Sequence, residues 1–396
     1  MSTKPFDIIL VGATGFTGRR AVKYLTDHAP ESLEWGIAAR NNQKLDQISV
    51  DFSIAKDRCF RVDTTDPKDV NQIIQQTRII ATTVGPFSLY GEELIKQCAE
   101  TGTHYLDITG EVGFIKKMIA KYEDAAIQNG SILIPFSGFD SVPADITAYS
   151  LSKEFAEPSK ISIKSYYNIS GGFNGGTIAT MLNKFETGEF KEMNDPALLL
   201  KGDDQKLHKT DGTRFFGYDS LISRWSAPFI MGPINTKVVY RSASLYGRND
   251  DKYADSIGYS EHSTLGPWYN PLPFLFISLF LTTLTLLGPY SWFRTLLKKI
   301  MPAPGEGPSE VSIQNGYFRL KAYAKDNGGN TNTLTMSYPG DPGNKSTIFF
   351  LCESALFLAE KDRSYLGEKG FLTTMTALGP EFIERLKSRG LRLSIN

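Results

Sequence analysis

Cysteine is scarce in this 396-residue chain: Cys59, Cys98 and Cys352 are its three copies. An odd number at these separations makes neither a disulfide framework nor the paired spacing of a metal site, and no metal is expected. Excess charge of one sign is missing as well. Lys plus Arg and Asp plus Glu both total 43, so the formal net charge is zero. Bulk electrostatics therefore gives no reason to expect a nucleic-acid partner. Met1–Pro5 is polar and the first apolar run, Ile8–Val11, is too short for a signal-peptide core. A reducing compartment is the simplest reading, in which the sequons at Asn168 and Asn344 are chance matches. Internal repeats are absent too.

What is present starts at that first run. Ile8–Val11 leads straight into Gly12-Ala13-Thr14-Gly15-Phe16-Thr17-Gly18, and an amphipathic stretch with Ala21, Val22 and Leu25 follows. A strand, a glycine turn and a helix in that order place free backbone N–H groups and a helix dipole where a pyrophosphate can sit. Short apolar runs then recur between helical patterns up to residue 150. Candidate strands are Phe6–Val11, Glu34–Ala39, Cys59–Val62, Ile79–Thr83, Tyr105–Ile108 and Ile132–Phe136. Such alternation predicts an α/β fold with a doubly wound parallel Rossmann sheet over residues 1–150, ligands lying at the strand C-termini. Residues 151–342 read as a second, mixed α+β domain. Its expected strands include Lys160–Ile169, a stretch within Pro233–Tyr246, Val311–Ile313, Phe318–Ala322 and Thr333–Ser337. Residues 343–396 read as an apolar core helix over Gly343–Glu360 and a polar tail.

Arg40 separates the two dinucleotides. The end of a second Rossmann strand carries Asp or Glu for a ribose 2′-hydroxyl, or a basic residue for a 2′-phosphate. Ala38-Ala39-Arg40-Asn41 has no acid, and a guanidinium is a fork suited to phosphate, so NADP(H) is expected. The alternative is a solvated loop arginine. The cofactor set is then Gly12, Thr14, Gly15, Phe16, Thr17, Gly18 and Arg40, joined by Asp63 after the third strand and Val84, Gly85 and Pro86 after the fourth. Asp63 has a strand-end cap as its alternative, and the Gly-Pro pair an ordinary strand stop.

Five motifs follow one another: Val84-Gly85-Pro86-Phe87 with Tyr90-Gly91-Glu92, Tyr105-Leu106-Asp107-Ile108-Thr109-Gly110-Glu111, Ser137-Gly138-Phe139-Asp140-Ser141-Val142-Pro143-Ala144-Asp145, Gly171–Thr177 and Gly305-Glu306-Gly307-Pro308-Ser309. With the glycine turn, this ordered set resembles the saccharopine dehydrogenase-like oxidoreductases. That group is similar to the trans-acting enoyl reductases of glycolipid synthesis. The resemblance covers nearly the whole chain and implies an NADP-type cofactor. It also implies association with lipid droplets or membranes, as in eukaryotic members. A proven substrate is not among its implications.

Hydride transfer to a C=C or C=N bond needs an orienting pocket and a proton donor. Tyr90, His104, Tyr105, Asp107, Glu111, Asp140 and Ser141 are candidates, with Tyr105, Asp107, Asp140 and Ser141 carried forward as the catalytic set. Buried carboxylates bonded to turn amides are the alternative for Asp107 and Glu111, and helix capping for Asp140 and Ser141. A Tyr-x-x-x-Lys pair is missing at Tyr90 and Tyr105. So is the assignable lysine and histidine pair of genuine saccharopine dehydrogenases.

One further absence is positional. From Ser263 to Phe293 there is no Asp, Glu, Lys or Arg. Phe274–Gly288 is Pro-free and gives roughly 22 Å of helix, short of the ~30 Å hydrocarbon core. With Trp268, Tyr269, Tyr290 and Trp292 at its flanks and Arg294, Lys298 and Lys299 beyond, it reads as a monotopic segment dipping into one leaflet or a lipid-droplet surface from the cytoplasmic face. The alternative is a core or homodimer-interface helix. The function expected from all this is an NADP(H)-dependent oxidoreductase acting on a small hydrophobic, lipid-like substrate beside a membrane or lipid droplet. The alternatives are an inactive NADP-binding protein of the lipid surface and a soluble saccharopine-type dehydrogenase.

Overall fold

The computed structural model describes residues 4–156, 158–172, 174–188, 195–200, 206–207, 216–247, 253–264, 269–303, 305–361 and 367–396. The chain opens with β1 (Phe6–Val11), α1 (Phe16–His28), β2 (Trp35–Ala39), α2 (Asn42–Asp51), β3 (Cys59–Arg61), α3 (Pro67–Ile74) and β4 (Thr77–Thr82). It continues with α4 (Phe87–Tyr90), α5 (Glu92–Thr101), β5 (His104–Asp107), α6 (Val112–Asn129), β6 (Ile132–Ile134) and α7 (Val142–Ser152). Then come β7 (Lys160–Ser170), α8 (Gly175–Thr187), β8 (Lys206–Leu207), β9 (Gly217–Asp219), β10 (Arg224–Pro228), α9 (Gly232–Gly247) and β11 (Ser256–Ser263). Last are α10 (Leu272–Leu287), α11 (Ser291–Ile300), α12 (Glu310–Asn315), β12 (Tyr317–Asp326), β13 (Thr331–Pro339), α13 (Thr347–Glu360), β14 (Gly370–Phe371), α14 (Thr374–Ser388) and β15 (Arg392–Ile395).

The first sheet is parallel throughout, in the order β14-β6-β5-β4-β1-β2-β3. Its first six strands follow the Rossmann order, with the reversal between β1 and β4. Helices cover both faces of such a sheet, so its strands are apolar on both sides: Ile8, Ile9, Leu10, Ile79 and Ile80 are all fully buried. The second sheet runs β15-β13-β12-β7-β11-β10-β9, with β8 beside β11. It pairs β7 with β11 in parallel and β12 with β7 and β13 antiparallel. Along β12, Phe318, Leu320, Ala322 and Ala324 are buried while Arg319, Lys321 and Lys325 are exposed. This period of two puts one face on the core and one in solvent.

The C-terminal residues build both sheets. α13 packs against α1, β1, β4 and β5 of the first sheet, β14 extends that sheet, and β15 is an edge of the second. Every residue of α13 from Thr347 to Ala359 is buried, which explains an apolar run with no amphipathic rhythm. A single apolar cluster joins Ile8 and Ile79 to Ile161 and Phe318, so the two sheets share a core.

Three expectations are corrected. The stretch Pro233–Tyr246 is not a strand but lies within α9. Buried residues occupy almost every position of that helix, so neither a period of 2 nor 3.6 is visible. Val311–Ile313 is helical too, in α12, because Ser309 accepts a capping bond from the Ser312 N–H. The polar tail folds into β14, α14 and β15. Among the described residues no helix is long and apolar enough to cross a membrane. Trp268 lies outside the described residues.

The fully buried Glu353 carboxylate ties α13 to two other helices. It accepts from the Tyr24 hydroxyl at 2.7 Å and is paired with Arg385 and, at 3.7 Å, Arg389. Removing one side of such a pair strands the other charge. Glu353→Ala is expected to cost about 3–5 kcal/mol, read as a lowered urea midpoint.

Candidate active site

The glycine turn occupies the end of β1. Gly12 has φ +92°, a conformation that favours glycine. A Cβ on Gly18 would stand 2.0 Å from the Gly12 carbonyl oxygen, so α1 can start this close to the strand only with glycine there. Gly15 is different. It is exposed, and a Cβ would meet nothing in the protein closer than Gly12 O at 3.4 Å, an ordinary contact. It is the N-cap of α1 and supplies no side-chain cap, so first-turn N–H groups are left for another acceptor. An uncapped helix start with open space above it fits a pyrophosphate.

Phe16, on the first turn, is covered from two sides. The Arg20 guanidinium lies 3.8 Å over its ring, and a Cβ on Gly307 would collide with it. Arg20 also pairs with Glu310 on α12, and the Gly175 N–H donates to Glu306 O at 2.9 Å. The 305–310 segment thus straps α1 to the start of α8.

At the end of β2, Arg40 is exposed and forms no hydrogen bond or ion pair among the described residues. The α2 N-terminus begins beside it, capped by Asn41. Asp63 is partly occupied: its Oδ1 accepts from the Thr65 N–H at 3.0 Å and Oγ1 at 2.7 Å. Those bonds, with Arg40 and Arg61 nearby, hold its carboxyl below the usual range. Val84 and Pro86 are half-buried and Gly85 is exposed, facing Thr180 of α8.

The catalytic candidates divide sharply. Tyr105 and Asp107 are fully buried inside the sheet. Asp107 accepts from the Tyr105 hydroxyl at 2.8 Å, the Thr109 N–H at 3.0 Å and the Phe136 N–H at 3.1 Å. Burial pushes it up to about 7 against those bonds. Glu111 likewise accepts from the Phe87 and Ser88 N–H groups at 2.7 and 3.1 Å, and His104 Nδ1 accepts from Ile132 N–H. These groups brace the loops after β4, β5 and β6, which is the alternative the sequence left open for Asp107 and Glu111.

Asp140 is the exception. It is half-buried and no hydrogen bond engages its carboxylate among the described residues. Burial pushes it up to about 6, opposed by the positive charge of Lys184 on α8. Lys184 Nζ donates to Gly110 O at 2.5 Å. Ser141, fully buried, starts a chain of bonds into the second domain. Its hydroxyl donates to Asn235 Oδ1 at 3.2 Å, and Asn235 Nδ2 donates to Glu261 Oε2 at 2.8 Å. Glu261 Oε1 accepts from Tyr259 at 2.7 Å and Tyr167 at 3.0 Å, and burial pushes its carboxyl up to about 7.

Lys184, Asn235 and Glu261 escaped the sequence reading. The available signals were weak: a lysine inside the apolar pattern of α8, and the one acid of β11.

Residues 8–134 match the family model of the saccharopine dehydrogenase NADP-binding domain. A Mycobacterium tuberculosis relative, provisionally named a trans-acting enoyl reductase, is 31% identical, with 98% of this chain and 97% of that protein covered. The trans-acting enoyl reductase of Mycobacterium ulcerans is 29% identical over 99% and 98%. Among solved structures, homospermidine synthase from Legionella pneumophila, in complex with NAD, shares the fold at TM-score 0.54 and 10% identity, with 99% of this chain and 91% of that one covered.

Gly18→Ala is expected to abolish dinucleotide binding, because the turn must open to admit the Cβ. Titration of NADPH fluorescence beside a far-ultraviolet circular dichroism control checks it.

Proposed function

The chain belongs to the saccharopine dehydrogenase-like oxidoreductase family and carries its NADP-binding domain, and from this premise we propose that it is an NADPH-dependent reductase of a hydrophobic, enoyl-type substrate at a lipid surface. The observation that carries the reading is the double contact of α8. On its cleft side, this helix sets Thr180 beside Gly85 and Lys184 on the Gly110 carbonyl, where its charge acts on Asp140. On its other side, Ile178, Leu182 and Phe185 pack against Leu284 of α10 and Phe293 and Leu297 of α11. Those two helices leave Phe276, Leu279, Leu286, Trp292 and Ile300 exposed.

Apolar side chains exposed in one cluster mark an interaction surface. A lipid leaflet suits this one. α10 is roughly 24 Å long, less than a bilayer core, aromatic residues stand at its ends, and α11 adds Arg294, Lys298 and Lys299. A substrate held in that leaflet reaches the cleft past α8. The enoyl assignment draws on the names of the relatives.

A nicotinamide dinucleotide held by the Gly12–Gly18 turn and Arg40 would supply hydride to a conjugated C=C bond. The protein must stabilise charge developing on the carbonyl oxygen and deliver a proton to the α-carbon. Lys184 serves both ends, and the Asp140 carboxylate positions its ammonium. Arg40 takes the 2′-phosphate and sets the preference for NADPH over NADH.

NADPH oxidation with a long-chain trans-2-enoyl thioester in vesicles tests the chemistry. Lys184→Met and Asp140→Asn should each lower kcat by about 10²-fold while NADPH affinity holds. Because the Asp140 carboxyl lies near 6, its anion is lost as pH falls through that value. The wild-type kcat/KM should drop below about pH 6, and Asp140→Asn should lack that limb. A wild type that never oxidises NADPH points to the cofactor-binding surface protein instead.

Arg40→Ala should weaken NADPH by about 10–100-fold and leave NADH unchanged; equal losses for both would overturn its role. Phe276→Ser with Leu279→Ser should abolish flotation with vesicles. If the same pair instead splits a dimer in gel filtration, a second copy of the chain covers the patch.

A further inference from the structure

The outer face of the second sheet carries a feature that the reductase reading does not use. Side chains alternate along β12, so Arg319 and Lys321 point away from the core. Strand register places their neighbours. Arg319 stands opposite Ser337 of β13 and Asn168 of β7, and Ser337 opposite Arg392 of β15. In the next row, Lys321 stands between Thr335 and Tyr166. These rows, with Arg224 of β10 and Lys387 of α14, line an open groove of about 730 Å³. That is the size of a small-molecule site.

The charge in the groove is of one sign. None of its lining residues is Asp or Glu. Among the described residues Arg224, Arg319, Lys321 and Arg392 form no ion pair; Lys387 is paired with Glu384 at 2.8 Å. The nearby Asp219 is engaged, accepting from the Tyr166 hydroxyl at 2.7 Å and from the Leu221 N–H at 3.0 Å. Arg319 and Lys321 are braced over the rings of Tyr317 and Tyr323, at 4.8 and 5.1 Å. Adjacent strands lie ~4.8 Å apart, so Arg319 and Arg392 are separated by ~10 Å and Lys321 lies ~7 Å along the strand from Arg319. Like charges at these separations repel one another, and a bound anion reverses the sign of that energy. Ser337 offers a neutral hydroxyl between the cations, while Asn168 is held by the Thr264 carbonyl and the Tyr317 hydroxyl and Thr335 by Ser394.

We propose that this groove is a second anion site, separate from the glycine turn on the other sheet, and that it takes a phosphate monoester or diphosphate group. Guanidinium forks recognise phosphate oxygens two at a time. The phosphate belongs either to a free metabolite or to a phospholipid headgroup.

Titration calorimetry with inorganic pyrophosphate tests it, on protein saturated with NADP+ so that the glycine turn is filled. The wild type should bind saturably. The double variant Arg319→Ala with Arg392→Ala should bind at least about tenfold more weakly, with unchanged NADPH affinity and thermal unfolding. Flotation with phosphatidylcholine vesicles, with and without phosphatidic acid, then assigns the source. Extra binding to the phosphatidic acid vesicles that pyrophosphate displaces and the double variant lacks supports a headgroup. Pyrophosphate binding without that extra flotation supports a free phosphate ligand. Equal pyrophosphate binding by wild type and variant, or none by the wild type, overturns the site. Neither result bears on NADPH oxidation, so the groove and the reductase reading fail separately.

Discussion

The structure depends on the burial of α13 beneath the parallel sheet. A helix apolar on every side has one stable place, inside. Taking it there draws the last fifty residues back across both sheets and joins their cores. The start of that helix also organises the cleft. Thr347 accepts from the Phe139 N–H at 3.3 Å, next to Asp140. Asp341, just before it, accepts from the Gly172 N–H at 2.6 Å and from Asn344. Asn344 in turn accepts from Asn174, the N-cap of α8, at 3.0 Å. The loop that carries Asp140 and the helix that carries Lys184 are therefore set by one buried anchor.

Hydrogen-bond satisfaction then sorts the carboxylates. Asp107 and Glu111 spend their oxygens on the amides of neighbouring loops, and a buried acceptor so engaged holds backbone in place. Among the described residues Asp140 has no such engagement, and the Lys184 ammonium of α8 acts on it through its charge. Desolvation raises both Asp107 and Asp140, so a shifted carboxyl does not by itself distinguish brace from reagent; geometry does. Glu261 belongs to the bracing group as well, since two tyrosines and Asn235 occupy it. Its line through Asn235 to Ser141 makes the loop after β6 rigid relative to the second sheet.

The second sheet serves two surfaces of different chemistry. Its apolar face closes the shared core, and its solvent face gathers cations over a hydroxyl-lined groove. The exposed pair α10 and α11 is apolar and packs on α8, which joins this surface to the helix that carries Lys184.

Much of this was legible beforehand, for a local reason. Strand, glycine turn and helix are neighbours in the chain, so the Rossmann half, its strand limits within a residue or two, and the place of Arg40 follow from short-range pattern and backbone sterics. The uncharged stretch announced α10 in the same way. Long-range partners were not legible. Tyr105 and Asp107 look like cleft residues from their position at a strand end, and only the packed sheet shows that they bond to each other and to loop amides. Lys184 and Asn235 act on the loop after β6 across 44 and 94 residues of chain, and Glu261 is linked to it through Asn235. α9 hid as a strand because burial on all sides erases the period from which a helix is read. The residue string by itself determined the glycine turn, since strand, turn and helix are contiguous backbone; tertiary packing decided which buried carboxylates are engaged, since their partners are groups that sequence separation keeps apart.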